Sequence, residues 1–237
     1  MKCPNPDCNA TDHEPGAKYC HKCGYLLVND NSSYIERPKQ ENRYNLSSAP
    51  VGVEAVDLGL PSGTKWASCN VGATKPEEYG GYYAWGETEE KEKIDWKTYI
   101  HCDGSSETCH NLGSDISGTE YDVAHVKWGG NWCMPTWDDI KELLDNCTKE
   151  WTTHNGVKGY KLTNKINGNS IFLPAAGYRW DGGLYFACSE GEYWSSTRSP
   201  SDADADCACH LFFYSGSVTW NYYARYYGFT VRPVSKN

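Results

Sequence analysis

The chain has no apolar run approaching the ~20 residues of a membrane-spanning helix. Its N-terminus, MKCPNPDC, carries no hydrophobic stretch of signal-peptide length. Membrane insertion is therefore not expected, and the cytoplasm is the expected location. A local cluster of Lys and Arg is also missing. With 31 acidic against 22 basic side chains and a formal charge of −9, the chain repels phosphate backbones and anionic lipid, so neither nucleic acid nor a membrane surface is an expected partner. Methionine (2) and phenylalanine (5) are scarce and aliphatic residues sparse, which argues against a helical bundle. What the chain has instead is 18 tyrosines, 10 tryptophans and 12 cysteines among 237 residues. That composition favours a loop-rich domain with an aromatic core. In a reducing compartment, closely spaced cysteine pairs are better read as metal ligands than as disulfides.

Residues 1–27 contain CPNPDC and CHKCG, which place Cys3, Cys8, Cys20 and Cys23 in two close pairs. Each pair brackets a tight turn that lets two thiolates approach one tetrahedral ion, and Gly24 permits the backbone such a knuckle needs. A zinc ribbon is expected there, with structural Zn2+ as cofactor supplying most of the folding free energy of so short a segment. His13 and His21 are nearby, but four cysteines already complete the shell. Residues 28–50 are polar and aperiodic and read as a flexible linker. Residues 51–237 read as one α+β domain of short irregular strands with about two helices.

One helix is expected over PTWDDIKELLDNC, where Thr136 and Asp139 form a capping box and Ile140, Leu143, Leu144 and Cys147 recur at helical spacing. A second, shorter helix is expected over YDVAHVKW. Strands are expected in GTKWASCNV, GGYYAWGE and NSIFLPAAGY, each bounded by Gly, Asn or Asp turn signals.

The stretch SDADADCACHLFFYSGSVTWNYYARYYGF, from Ser201, invites three chemical readings. Asp202, Asp204 and Asp206 mimic the start of an EF-hand loop, but its required Gly and Glu positions hold Cys207 and Phe213. Cys207, Cys209 and His210 could bind a soft metal, but supply only three ligands. A nucleophilic cysteine needs a lowered pKa, and neighbouring aspartates act the other way. A hairpin fits better. Ser215-Gly216 separates two arms whose alternation puts Leu211 and Phe213 on one face and His210, Phe212 and Tyr214 on the other. From Ser199 to Thr230 there is no Lys, Glu, Gln or Met, although these types make up roughly a sixth of the remaining residues. Strand propensity explains part of that gap but not the abundance of Asp, Ala, Asn and Cys.

Several motifs together carry a resemblance: VDLGLPSGTKWASCNVGA from Val56, GGYYAWGE from Gly80, NWCMPTWDDIKELL from Asn131, LPAAGYR from Leu173, YWSST from Tyr193 and GFTVRPV from Gly228. From about Val53 to Val234 the chain resembles the variable proteins of diversity-generating retroelements. Those proteins carry a C-type lectin fold of the formylglycine-generating-enzyme type. In that family, error-prone reverse transcription at template adenines rewrites codons that cannot become Lys, Glu, Gln, Met or Trp, and the gap above fits that limit. The sequence departs from the family pattern at Cys133, where similar sequences carry Arg.

The resemblance implies a framework of Ala208, Leu211, Phe213, Ser215, Gly216, Val218, Arg225 and Gly228, with Trp220 included because the rewritten codons cannot encode it. It implies a diversified, ligand-binding set of Asp202, Asp204, Asp206, Cys207, Cys209, His210, Phe212, Tyr214, Thr219, Asn221, Tyr222, Tyr223, Ala224, Tyr226 and Tyr227. The implied function is non-enzymatic recognition of a protein or other macromolecule, in the cytoplasm or on a phage particle, with no catalytic residues. Tyrosine suits such a surface because it offers a large amphipathic contact with few torsions to freeze. The competing reading is a copper oxidase resembling formylglycine-generating enzymes and using Cys207 and Cys209.

Overall fold

The computed structural model describes residues 49–103, 105, 108–201 and 205–236. All of them belong to the second of the two units into which the chain divides, Arg43–Asn237. The expected zinc ribbon, with Cys3, Cys8, Cys20 and Cys23, lies outside the described residues, as do nearly all of the expected linker, Asp202 and Asp204.

Strands predominate and two short helices accompany them, an α+β arrangement. In chain order the elements are β1 (Ala55–Val56), β2 (Lys65–Ala67), α1 (Val123–Trp128), β3 (Trp132–Cys133), α2 (Trp137–Asn146), β4 (Cys147–His154) and β5 (Val157–Asn164). They continue with β6 (Ser170–Pro174), β7 (Tyr178–Trp180), β8 (Gly183–Tyr185), β9 (Glu190–Arg198), β10 (Cys207–Tyr214), β11 (Ser217–Ala224) and β12 (Val234–Ser235). Four sheets result, ordered β1-β2-β12-β3, β4-β5-β6, β7-β8 and β11-β10-β9. The first is closed by β12, which pairs antiparallel with both β2 and β3 and so ties the last strand to the first part of the domain.

Both expected helices form, as Val123–Trp128 and Trp137–Asn146. Thr136 accepts from the Asp139 N–H while the Asp139 carboxylate accepts from the Thr136 N–H at 2.8 Å, completing the capping box of α2. Its buried stripe is Ile140 and Leu143, which join Leu58, Trp66, Leu162, Leu173, Leu211 and Phe213 in one core cluster. At α1, the fully buried Asp122 accepts from the N–H groups of Ala124 and His125 with one oxygen. Its other oxygen accepts from Gly118 and Met134, so this carboxylate also staples the preceding turn to the segment after β3.

The three expected strands all fall short of their sequence pattern, NSIFLPAAGY forming β6 only over Ser170–Pro174. In GTKWASCNV only Lys65–Ala67 pairs, because the chain turns at Asn70, whose carbonyl accepts from Ala73 N–H. GGYYAWGE is a loop, tied by an isolated bridge between Tyr83 and Phe229 and by hydrogen bonds from Gly81 N–H to Val71 O and from Trp85 N–H to Arg225 O. Gly80 and Gly86 take φ of +74° and +85°, which curls the segment out of any ladder. Tyr83 and Trp85 are nonetheless buried in a second core cluster with Ala67, Val71, Trp128, Trp194 and Phe229, and Tyr82 in a smaller one with Ile94 and Ala176. Cys133 is buried within the first cluster, and that burial pushes its thiol up to about 11.

A buried arginine joins these parts. Arg232 Nε donates to Asn70 Oδ1 at 2.7 Å, Nη1 to Ala67 O at 3.0 Å and Nη2 to Phe172 O at 2.8 Å. The rigid fork of the guanidinium thereby bridges β2, the turn after it and β6.

Candidate functional site

The β10-β11 hairpin forms as its alternation predicts. Tyr214 pairs with Ser217 across the Ser215-Gly216 turn, and eight cross-strand pairs run to Cys207 opposite Ala224. β10 is the middle strand of its sheet, with β9 on its other side, and β11 is the edge. A register shift between Ala208 and His210 against β9 marks the irregularity that separates the Asp206 turn from the regular part of the strand.

The pairing sorts the expected ligand-binding residues onto two faces. His210, Phe212, Tyr214, Thr219, Asn221 and Tyr223 share one face, with Ala208 and Ser217. Cys207, Cys209, Tyr222 and Ala224 lie on the other, with Leu211, Phe213, Val218 and Trp220. Leu211 and Phe213 are buried in the core, Val218 packs against it, and the half-exposed Trp220 ring sits 4.7 Å from Trp137 of α2. On the first face Tyr214, Thr219, Asn221 and Tyr223 are exposed and Phe212 is half-buried. Tyr226 and Tyr227 follow in the turn after β11, and Asp206 precedes β10. None of Tyr222, Tyr223, Tyr226 and Tyr227 is buried.

Two residues expected at the surface are not there. Cys209 and His210 are 1% and 2% exposed and cannot be presented to a ligand in this conformation. Period-two alternation leaves one face open only where a sheet is covered on a single side. Here the first half of β10 is covered on both. His210 packs on the Phe229 ring at 5.0 Å and the Trp194 ring at 6.0 Å. Its Nε2 lies 2.9 Å from Glu192 Oε2, while Nδ1 is buried without a hydrogen bond among the described residues. The Cys209 thiol donates weakly to Arg198 O at 3.7 Å, and burial pushes it up to about 11. Among the described residues no group of three or more His, Cys, Asp or Glu side chains is placed to hold a metal ion.

Of the framework residues that the resemblance implies, Ala208, Leu211, Phe213, Arg225 and Gly228 are buried, Val218 is half-buried, and Ser215, Gly216 and Trp220 are exposed. Arg225, between the tyrosine pairs, lies over the Trp85 and Tyr99 rings at 5.3 and 5.9 Å, and its Nη2 donates to His110 O at 2.9 Å. Its backbone is held as well, N–H to Asp206 O and carbonyl to Trp85 N–H.

One part of the surface was not anticipated from sequence. The β7-β8 hairpin stands against the tyrosine turn: Trp180 stacks on Tyr227 at 4.5 Å, and Tyr178 meets Tyr185, Phe186 and Tyr227 within 6 Å. Tyr185, Phe186 and the adjoining Leu184 are 42%, 54% and 44% exposed, so the aromatic surface extends beyond the C-terminal hairpin. Phe186 and Cys188 hold φ of +55° and +68°, a costly backbone for residues with side chains. The sequence signal available was the aromatic pair after a glycine turn in DGGLYF, which no helical or alternating pattern explains. Burial raises the phenols of Tyr178, Tyr223 and Tyr226, so they stay neutral donors, and it also raises the carboxyls of Glu190 and Glu192 beside them. A separate groove of about 530 Å3, lined in part by Glu54, Val56, Glu150, His154, Lys161 and Phe172, contains none of the expected site residues.

Comparison of the chain with protein-family models, with curated proteins and with solved structures finds no match.

Proposed function

We propose that residues 53–234 form a C-type lectin-like recognition domain of the diversity-generating retroelement type. Its C-terminal hairpin and tyrosine turn bind a protein or other macromolecule without catalysing a reaction. The observation that carries this reading is the sorting of the hairpin. Phe212, Tyr214, Thr219, Asn221 and Tyr223 reach solvent from one face, while Leu211 and Phe213 of the same strands are locked into the core. Side chains can then change on the open face with little effect on folding, and the ordered strands keep the entropy lost on docking small. The closure of the first sheet by β12 and the two helices flanking β3 are consistent with the lectin-like assignment. On this reading Cys3, Cys8, Cys20 and Cys23 hold structural zinc in an N-terminal ribbon.

The test is genetic. The DNA beside this gene is sequenced in a growing population, and a near-copy of the codons for residues 199–230 is sought next to a reverse transcriptase. The expected result is substitution confined to positions where the copy has adenine. Absence of any such copy overturns the reading. The oxidase alternative separates from it biochemically: with Cys207 and Cys209 both changed to Ser, the recognition domain keeps its fold and an oxidase loses copper binding.

A further inference from the structure

Residues 101–103 and 108–110 run antiparallel to each other near Arg225, whose Nη2 donates to His110 O. His110 N–H donates to His101 O at 2.7 Å and Asp103 N–H to Thr108 O at 3.1 Å. Between these two hydrogen-bonded steps Cys102 and Cys109 face each other as an isolated antiparallel bridge. They are thus a non-hydrogen-bonded pair, the type whose Cα atoms stand about 4.5 Å apart with side chains closest. A disulfide spans Cα separations of about 4.4 to 6.8 Å, so the backbone is already within range. The two sulfurs are 2.6 Å apart. Two thiolates bound to one zinc ion stand about 3.8 Å apart, so this contact does not suit a shared metal.

We propose that Cys102 and Cys109 are a thiol-disulfide modification site, which accepts oxidising equivalents from a small-molecule disulfide such as glutathione disulfide. One thiolate attacks the glutathione disulfide, forming a mixed disulfide and releasing one glutathione. The second thiol then loses its proton, attacks the mixed disulfide and releases the other glutathione. In balance, two cysteine S–H bonds and one glutathione S–S bond are exchanged for one protein S–S bond and two glutathione S–H bonds. The protein pair gives up two electrons and glutathione disulfide takes them. Either sulfur can enter as the nucleophile and the other resolve, since the two stand 2.6 Å apart. Both residues are half-exposed, which leaves the pair open to a reagent of this size.

The bond would close an eight-residue ring, 102–109, whose next residue accepts the Arg225 guanidinium. Oxidation therefore stiffens the support of the backbone between Tyr223 and Tyr226. The site does not depend on the proposed recognition function and stands or falls separately from it.

The test uses the full chain equilibrated in glutathione disulfide or in excess reductant, then trapped by alkylation and mapped by peptide mass without reduction. The expected result under oxidation is a Cys102–Cys109 link, two hydrogens lighter than the dithiol. Reduction should lower the melting temperature of the wild type by roughly 5 °C beyond any change in the C102S/C109S variant. Circular dichroism of that variant checks that it is folded. Recovery of both cysteines as separately alkylated residues from folded protein under oxidation overturns the proposal, and so does linkage of either one to Cys207. If C102S/C109S fails to fold, the conservative variants C102A and C109A are mapped singly. Each must then carry glutathione on, or leave alkylatable, its remaining cysteine; a crosslink to a different cysteine again overturns the pairing.

Discussion

Glu192 of β9 and His210 of β10 are diagonal neighbours on one face of the sheet, with Nε2 of the imidazole 2.9 Å from the carboxylate and both side chains more than nine-tenths shielded from solvent. They form the polar floor of the aromatic surface, between Trp194, Phe229 and Tyr223.

Burial raises the Glu192 carboxyl above its ordinary 4.5, partly offset by His210. A raised carboxyl binds its proton more tightly when folded than when unfolded. Its contribution to stability is therefore full below pH 4.5 and is lost as pH rises through the folded-state value. Glu192→Gln removes that dependence. Urea unfolding across a pH series should show wild type losing up to about 1.4 kcal/mol per pH unit relative to E192Q within that window, and no difference in slope above it.

Tolerance should divide the hairpin by burial and not by residue type. Tyr214→Ala, Thr219→Ala and Asn221→Ala alter exposed side chains and are expected to change unfolding free energy by about 0.5 kcal/mol or less. His210→Ala leaves a buried carboxyl without its partner and is expected to cost about 2 to 4 kcal/mol. Chemical denaturation of the four single variants checks both halves.

Arg232→Ala strands three buried acceptors, the Asn70 side chain and the carbonyls of Ala67 and Phe172. A loss of about 3 to 5 kcal/mol is expected in urea titrations. Arg232→Lys should recover only part of it, because one ammonium cannot reach three acceptors in the directions the fork reaches them.

Gly191 has its Cα face covered by the Phe213 ring of the opposing strand, and a Cβ there would overlap three ring atoms. Gly191→Ala should cost about 1 to 3 kcal/mol by overpacking. Combined with Phe213→Leu, which shortens the intruding side chain, the two effects should fall short of their sum. A double-mutant cycle measures that coupling.

Elements governed by local chemistry were legible in the sequence. The Thr136–Asp139 capping box, the hairpin turn at Ser215-Gly216 and the core face of Leu211 and Phe213 depend on neighbours a few residues away or on strict alternation. What was not legible depends on partners distant in the chain. GGYYAWGE is rich in strand-forming residues, yet Gly80 and Gly86 turn it into a loop in which Tyr83 and Trp85 are buried with Phe229 and Trp194. Cys209 shares the face of Leu211 and Phe213, so its burial follows from alternation, whereas His210 shares the face of Phe212 and Tyr214 and is removed from solvent only because Phe229 and Trp194 cover it there. The contribution of β7-β8 to the aromatic surface was invisible for the same reason, since Trp180 and Tyr227 are separated by most of the C-terminal sheet.

The Ser215-Gly216 connection is only two residues long, and Tyr214 pairs with Ser217 directly across it. Adding a single residue there would slide β11 by one step, turning Val218 and Trp220 outward and Thr219 and Asn221 toward the interior. Variation that this hairpin tolerates must then come from substitution and not from insertion, unlike an antibody loop that grows and shrinks to fit its target.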